Sequence, residues 1–242
     1  MNLRIATYNI FHGEDHPKRL AGERVIDLKK TAEAIRQTGA VLCGLNEVRS
    51  QQGEGLCNQA QAIGEALGWN YLFCPAIPIA NGEYGNALVS KFPIISYTLH
   101  PIRTTPEMRV NGAHFEDRVL GEICIDIDRT AVTVLVCHFG LNDVEQRLAT
   151  ELVLQRAAEI KTPLIFMGDL NLLPNHEYIE KIASVLTDTA SVSDDPLLTF
   201  PAYGADRKID YIFVTPDVEI LSADIPQIVS SDHCPHTAEL KL

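Results

Sequence analysis

Short apolar runs recur along the chain, and nearly every one stops at a residue carrying an amide, carboxylate or imidazole. Residues 3–10 run apolar up to Asn9, and Val41-Leu42-Cys43-Gly44-Leu45 leads into Asn46-Glu47. Residues 131–138 end at Cys137-His138, and Leu164-Ile165-Phe166-Met167 opens onto Gly168-Asp169-Leu170-Asn171. Asp210 heads the run 209–214, and Ser231-Asp232-His233 precedes a last strand at 237–242. Runs of this length with β-branched content predict buried strands. Polar residues at their ends fall on the rim of a sheet, where loops carry chemistry.

Between these runs the apolar spacing becomes helical. Residues 26–38 put Leu28, Ala32 and Ile35 on one face and stop at Gly39, and residues 58–67 are closed by Gly68. Asn142 with Glu145 three positions later, followed by Leu148, Leu152 and Val153, marks another helix start. A further helix covers 177–186. Residues 86–90 and 119–128 add strands, the latter joined to 131–138 by a link short enough for a hairpin. Loops are expected over 50–58, 76–84, 100–117 and 188–206.

One order occurs twice: Asn9, helix, Glu47 and then His138, helix, Asp169. Interleaved helices and strands call for parallel pairs, whereas the hairpin link calls for antiparallel ones. Two mixed sheets packed face to face with helices outside satisfy both, an α/β (α+β) four-layer sandwich. With 242 residues and no linker, one domain over 1–242 is expected.

Composition narrows the classes. At 46% apolar and 21% charged residues the chain fills a large core and is not disordered. No run approaches the roughly 20 apolar residues of a membrane helix. The N-terminal stretch lacks the features of a signal peptide, so it reads as a first strand and a cytoplasmic location is expected. Cys43, Cys124 and Cys137 lie inside apolar runs, and no Cys-x-x-Cys occurs among the six cysteines, which argues for reduced thiols and against zinc. A net charge of −12 argues against long duplex nucleic acid, which draws on surplus Lys and Arg. Part of that acidity belongs to carboxylates suited to hold a cation.

The rims together offer Asn9, Glu47, His138, Asp169, Asn171, Asp210, Asp232 and His233. Hard oxygen donors plus imidazole suit a divalent cation and a phosphate ester better than acyl or hydride chemistry. Asp232 beside His233 pairs a metal ligand with a proton carrier, and Asp210 is the candidate to orient the ring. His236 reads as structural, and His12, His16, His100, His114 and His176 have no comparable context.

In these segments the chain resembles the endonuclease/exonuclease/phosphatase superfamily, whose fold is that of deoxyribonuclease I. The resemblance rests on Ala6–Ile10, Leu45–Val48, Tyr84–Ile94, Val136–His138, Gly168–Asn171, Ile209–Ile212 and Ser231–His233, which follow the family's order across nearly the whole chain. It implies that Glu47 holds Mg²⁺ or Mn²⁺, with Asn9 close by and Asp232 in support. It also implies that Asp169 orients or deprotonates the attacking water, and that Asn171, His138 and Asn86 contact the phosphate. His233, paired with Asp210, would stabilise or protonate around the phosphorus centre. Arg118 falls where the family has an Arg, serving either an ion pair or catalysis. Asn46 replaces the usual Gln, Val119-Leu120-Gly121 replaces a small-residue run, and Cys234 replaces an aromatic. His12-Gly13 is similar to bacterial members, and Leu198–Pro201 to a pocket-lining family loop. The implied activity is metal-dependent hydrolysis of a phosphodiester, in a nucleic acid, a small diester or a phospholipid head group. An abasic-site endonuclease and a catalytically silent binding module are the alternatives.

Overall fold

The computed structural model describes residues 1–109 and 114–242. Along the chain come β1 (Asn2–Asn9), α1 (His16–Leu20), α2 (Leu28–Gln37), β2 (Leu42–Gln51), α3 (Gln59–Leu67), β3 (Asn70–Ile79), β4 (Gly82–Ser90) and β5 (Ile94–Ile102). They are followed by β6 (Arg118–Ile127), β7 (Thr130–Cys137), α4 (Asp143–Glu159), β8 (Leu164–Asp169), α5 (Glu177–Ala183), β9 (Thr187–Asp188), β10 (Asp210–Val214), β11 (Glu219–Asp224) and β12 (His236–Lys241).

The strands form two six-stranded sheets, ordered β11-β12-β1-β2-β4-β3 and β5-β6-β7-β8-β10-β9. Each contains one parallel pair, β1 with β2 and β7 with β8, among antiparallel neighbours. The repeated strand–helix–strand order is therefore real: α2 crosses between β1 and β2, and α4 between β7 and β8. The mixed two-sheet sandwich matches the deoxyribonuclease I-like fold expected from the sequence.

Three separate apolar layers hold the sandwich together. Leu3, Ile5, Leu42 and Leu88 of the first sheet meet Val134, Val136, Ile165, Met167, Ile212 and Val214 of the second. The alternate residues Ala6, Tyr8, Cys43 and Leu45 turn outward onto Ala32 and Ile35 of α2 and Ala60 and Ile63 of α3. Likewise Leu135, Cys137, Leu164, Phe166, Tyr211 and Phe213 turn onto Ala149 and Val153 of α4 and Ile179 and Ile182 of α5. Strands apolar on both faces lose the two-residue alternation of a half-exposed strand, which is why they read as continuous runs.

The helix starts and stops follow their side chains. Asp27, Asn58 and Asn142 accept from the backbone N–H three residues on, and Gly68 closes α3 in the left-handed region. In the hairpin between β6 and β7, Asp128 and Arg129 both take positive φ, as a tight two-residue turn requires.

Several loop expectations are corrected. Residues 76–79 continue β3 and 82–84 begin β4, so the loop expected over 76–84 is a tight hairpin. Residues 100–102 complete β5, and residues 110–113 of the loop expected over 100–117 lie outside the described residues. The helix expected over 177–186 ends at Ala183. The six cysteines form no disulfide. No helix among the described residues is long and apolar enough to cross a membrane.

Candidate active site

The ends of the two parallel pairs meet at one edge of the sandwich. Asn9 closes β1, Asp169 closes β8, His138 follows β7 and Asp210 opens β10. In the register of β8 with β10, Asp169 and Asp210 are direct cross-strand partners. At Gly168 the neighbouring strand comes so close that a Cβ would lie 1.8 Å from the Cys137 carbonyl oxygen, so only glycine fits before Asp169.

Glu47 departs from the expected position just past a strand. It lies inside β2, in a bulge between Leu45 and Val48, with φ of 58°. The bulge sends Asn46 and Glu47 to different tasks, as bulges near active sites do. Asn46, fully buried, donates to Asn86 Oδ1 at 2.9 Å and to the Cys137 carbonyl at 3.1 Å, and accepts from the Asp169 N–H at 2.8 Å. Glu47 points into a cavity of about 420 Å³ that also holds Tyr84, His114, Glu116, Arg118, His138, Glu145, Asp169, Asn171, Asp232 and His233 among its walls.

Asp169 Oδ2 is the junction of the site. Asn9 Nδ2 donates to it at 3.0 Å, His138 Nε2 stands 3.5 Å away and His233 Nε2 3.7 Å away. Asp169 Oδ1 accepts from the Asn171 N–H at 3.0 Å, a turn that holds Asn171 at φ 51°. Burial first, then the charge of Asp210, raises the Asp169 carboxyl to about 7.

His233 shows the opposite balance. Burial alone lowers an imidazole, but Asp210 and Asp169 outweigh it and lift the ring to about 10. Asp210 Oδ2 lies 2.8 Å from His233 Nδ1 and fixes the ring's orientation. Asp169, Asp210 and His233 can bring ligand atoms within 4.8 Å of one another, but His233 Nδ1 is taken up by Asp210.

His138 is held neutral, well below its ordinary range, by burial and then by the Arg118 guanidinium. Arg118 only donates, and it reaches Nδ1 at 3.3 Å. A neutral ring has one acceptor nitrogen, and its Nε2 also faces a donor. Asn171 Nδ2 lies 3.1 Å from that Nε2 and donates to the Phe139 carbonyl at 3.1 Å. Arg118 also pairs with Glu116 at 2.9 Å, so the ion-pair reading of this Arg has a partner.

Two of the expected site residues have other partners in the structure. Asn9 turns its amide nitrogen to Glu47 Oε1 at 3.2 Å as well as to Asp169, and its oxygen accepts from the Phe11 N–H. It bridges two carboxylates. Asn86, expected on the phosphate, is 2% exposed, accepts from Asn46 and donates to the Val119 carbonyl at 3.0 Å. Its amide joins the two sheets beneath the cavity.

Glu47 and Asp232 remain the carboxylates suited to a cation. Burial first, and also the charge of Asp232, raises the Glu47 carboxyl, although the Asn9 hydrogen bond opposes this. A site of hard oxygens short of positive charge fits a hard divalent cation. His12, which has no distinguishing context in the sequence, places its ring against Glu47 at 3.3 Å. Glu116 and Arg207, on the cavity wall, carry no motif signal either, and the Phe200 ring packs 4.7 Å from the His233 ring. The Leu198–Pro201 segment was the signal for the last contact.

The profile of the endonuclease/exonuclease/phosphatase family matches residues 6–233. Among solved structures, an endonuclease/exonuclease/phosphatase from Bacteroides vulgatus superposes with a TM-score of 0.79 at 21% identity, covering 100% of this chain and 99% of the other. A mannosyl-6-phosphatase of Bacteroides thetaiotaomicron gives 0.79 at 19% identity, covering 99% and 100%. The human Nocturnin catalytic domain gives 0.71 at 19%, covering 99% and 93%. At such identities these structures establish the shared fold. No match was found among curated proteins. With its profile match extending from β1 to His233, the chain belongs to the endonuclease/exonuclease/phosphatase family of hydrolytic phosphoesterases and nucleases.

Proposed function

We propose that this chain is a divalent-metal-dependent phosphoesterase that hydrolyses phosphodiester bonds by in-line attack of an activated water. The observation that carries this reading is Asp169, raised to about 7 and placed with one oxygen between Asn9, His138 and His233. A carboxylate poised near neutrality can take the proton from the attacking water. The His233 imidazolium, oriented by Asp210, faces the negative charge that grows on the phosphate and can protonate the departing oxygen. His138 and the Asn171 amide hold phosphate oxygens from the other side. Glu47 and Asp232 would hold Mg²⁺ or Mn²⁺, which when bound would supply positive charge to the phosphate. Asn9 keeps Glu47 and Asp169 in register.

The cavity favours a compact substrate. Glu47, Glu116, Glu145, Asp169 and Asp232 line it against Arg118 and Arg207, a poor surface for a long polyanion. A small diester is therefore preferred to duplex nucleic acid, and the abasic-site endonuclease reading lacks the basic rim it needs. A second reading is hydrolysis of a sugar phosphomonoester. Glu116 and Glu145 suit hydroxyl groups, and one structural neighbour is a mannosyl-6-phosphatase.

The test is hydrolysis of bis(p-nitrophenyl) phosphate beside p-nitrophenyl phosphate with Mg²⁺, Mn²⁺ or EDTA. Diester turnover that needs the cation and disappears in Asp169→Ala and His233→Ala supports the proposal. Preference for the monoester selects the second reading. Silence on both, with no cation bound in calorimetry, returns the chain to the binding-module alternative.

A further inference from the structure

His12 lies beside Glu47 in a left-handed turn, closed by Gly13 N–H on the Ile10 carbonyl at 2.8 Å and Glu14 N–H on the Phe11 carbonyl at 2.9 Å. Phe11, His12 and Gly13 all take positive φ, at 46°, 57° and 73°. Left-handed backbone is unfavourable for a side-chain-bearing residue, and two of these three carry one. Glu47, on the facing strand, is itself at φ 58°. Strained backbone on both sides of one contact points to a function for that contact.

The surroundings hold the ring there. Gln59, 5% exposed, donates to the His12 carbonyl at 2.6 Å and accepts from the Arg49 N–H at 2.9 Å, tying the loop to β2. Phe11 stacks on the ring at 5.6 Å, and Tyr84 meets it edge-on at 5.6 Å. His12 Nδ1 lies 3.3 Å from the Glu47 carbonyl oxygen, and Nε2 lies 3.3 Å from Glu47 Oε2.

A carbonyl oxygen only accepts, so Nδ1 carries the hydrogen. In the neutral ring the lone pair of Nε2 then faces a carboxylate oxygen, two donors of electron density side by side. Adjacent ligands of an octahedral cation at about 2.1 Å stand about 3.0 Å apart, close to the spacing seen here. Backbone hydrogen bonding to the far ring nitrogen is also the usual arrangement for a metal-bound histidine.

We propose that His12 is a further metal ligand, with Nε2 binding the cation beside Glu47 Oε2. This rests on the metal-dependent reading above and adds a nitrogen donor to an otherwise oxygen site. Such a donor shifts preference toward first-row transition cations such as Mn²⁺ and away from Mg²⁺, which favours oxygen.

Mn²⁺ loaded into the full chain allows a direct test by pulsed electron paramagnetic resonance. The wild type is expected to show ¹⁴N coupling from one imidazole, lost in His12→Asn and kept in His138→Gln. Asparagine suits the left-handed position, so the loop should persist. Calorimetry should show Mn²⁺ affinity falling at least about tenfold in His12→Asn, with Mg²⁺ affinity changed far less. Mn²⁺ bound to the wild type without nitrogen coupling overturns the ligand role and makes the ring an ion-pair partner of Glu47. No Mn²⁺ binding at all overturns it together with the metal reading.

Discussion

Asp210 spends one carboxylate oxygen on His233, at 2.8 Å from Nδ1, while its other oxygen is buried with no hydrogen-bond partner among the described residues. An unpaired buried acceptor costs about 1–3 kcal/mol, so stability alone does not account for this side chain. In the proposed mechanism it holds the imidazolium against Asp169. Asp210→Asn keeps the shape and can still accept from Nδ1, but it removes the charge that keeps the ring protonated. We expect kcat/KM for the diester to fall by about 10²–10⁴, with circular dichroism unchanged. Activity within threefold of the wild type would remove His233–Asp210 from the mechanism.

In the proposed mechanism the Asp169 carboxyl sets the acid side of the rate profile. It acts deprotonated, so activity declines as pH falls through its pKa, by about tenfold per unit once protonation dominates. Burial and Asp210 place that pKa at about 7, and a bound cation can only pull it down. The acid limb of kcat/KM at saturating Mg²⁺ is thus expected at or below pH 7. Asp169→Asn should flatten the limb and leave a small residual rate. An unchanged limb in that variant would assign it to another group, with Glu47 next in line.

The strands that the sequence revealed are the inner ones. β1, β7, β8 and β10 bury residues on both faces, and their apolar runs were plain. β3, β5 and β11 went unread because they lie at sheet edges and are mostly half-exposed. Pro75 and Pro78 in β3 and Pro101 in β5 further weaken the pattern, as edges permit. At the site, Asp169, His138, Asp210 and His233 were legible because each adjoins such a run or follows a motif. His12 was not, since a left-handed turn leaves no periodicity, and the engagement of Asn9 and Asn86 depends on which amide atom faces which neighbour.

Asn46 ties the two sheets together under the catalytic cavity, so its loss should be felt in both stability and rate. Asn46→Ala leaves the Asp169 N–H without its partner and removes donors to Asn86 and Cys137. A destabilisation of about 3 kcal/mol is expected, or roughly 6–12 °C in Tm for a chain of this size. Thermal melting and diester hydrolysis of the same preparation would check it. A Tm within about 2 °C of the wild type would mean that water replaces the amide.

His236 gives the fold an acid sensitivity separate from catalysis. Its Nδ1 faces the Asp210 carbonyl at 3.2 Å and its Nε2 the Thr189 hydroxyl at 3.4 Å, a pattern that fits the neutral ring. Burial, with Lys208 nearby, lowers its pKa to about 4. The unfolded chain takes up this proton below about 6.5. Stability is therefore fully present above about pH 6.5 and is lost as pH falls toward 4, by at most about 3 kcal/mol from this residue. His12 and His138 are lowered too, so the wild-type slope is a sum. Urea unfolding of His236→Gln should show a shallower slope across that window. An identical slope would clear His236 of the effect.

Glu47 should trade stability for cation binding. Its carboxyl is raised by burial and by Asp232, so the ionised side chain is held at a cost until a cation arrives. Mg²⁺ or Mn²⁺ at about 100 times its dissociation constant stabilises the folded chain by about 2.7 kcal/mol. That corresponds to roughly 5–11 °C in Tm for a chain this long. Glu47→Gln keeps an oxygen to accept from Asn9 but carries no charge. In EDTA this variant should melt no lower than the wild type, and added cation should leave its Tm unmoved. If cation raised the Tm of both proteins equally, the ion would be bound elsewhere, and the case for Glu47 and Asp232 would fail. If the wild type alone responds, the same titration reports the affinity against which His12→Asn is compared.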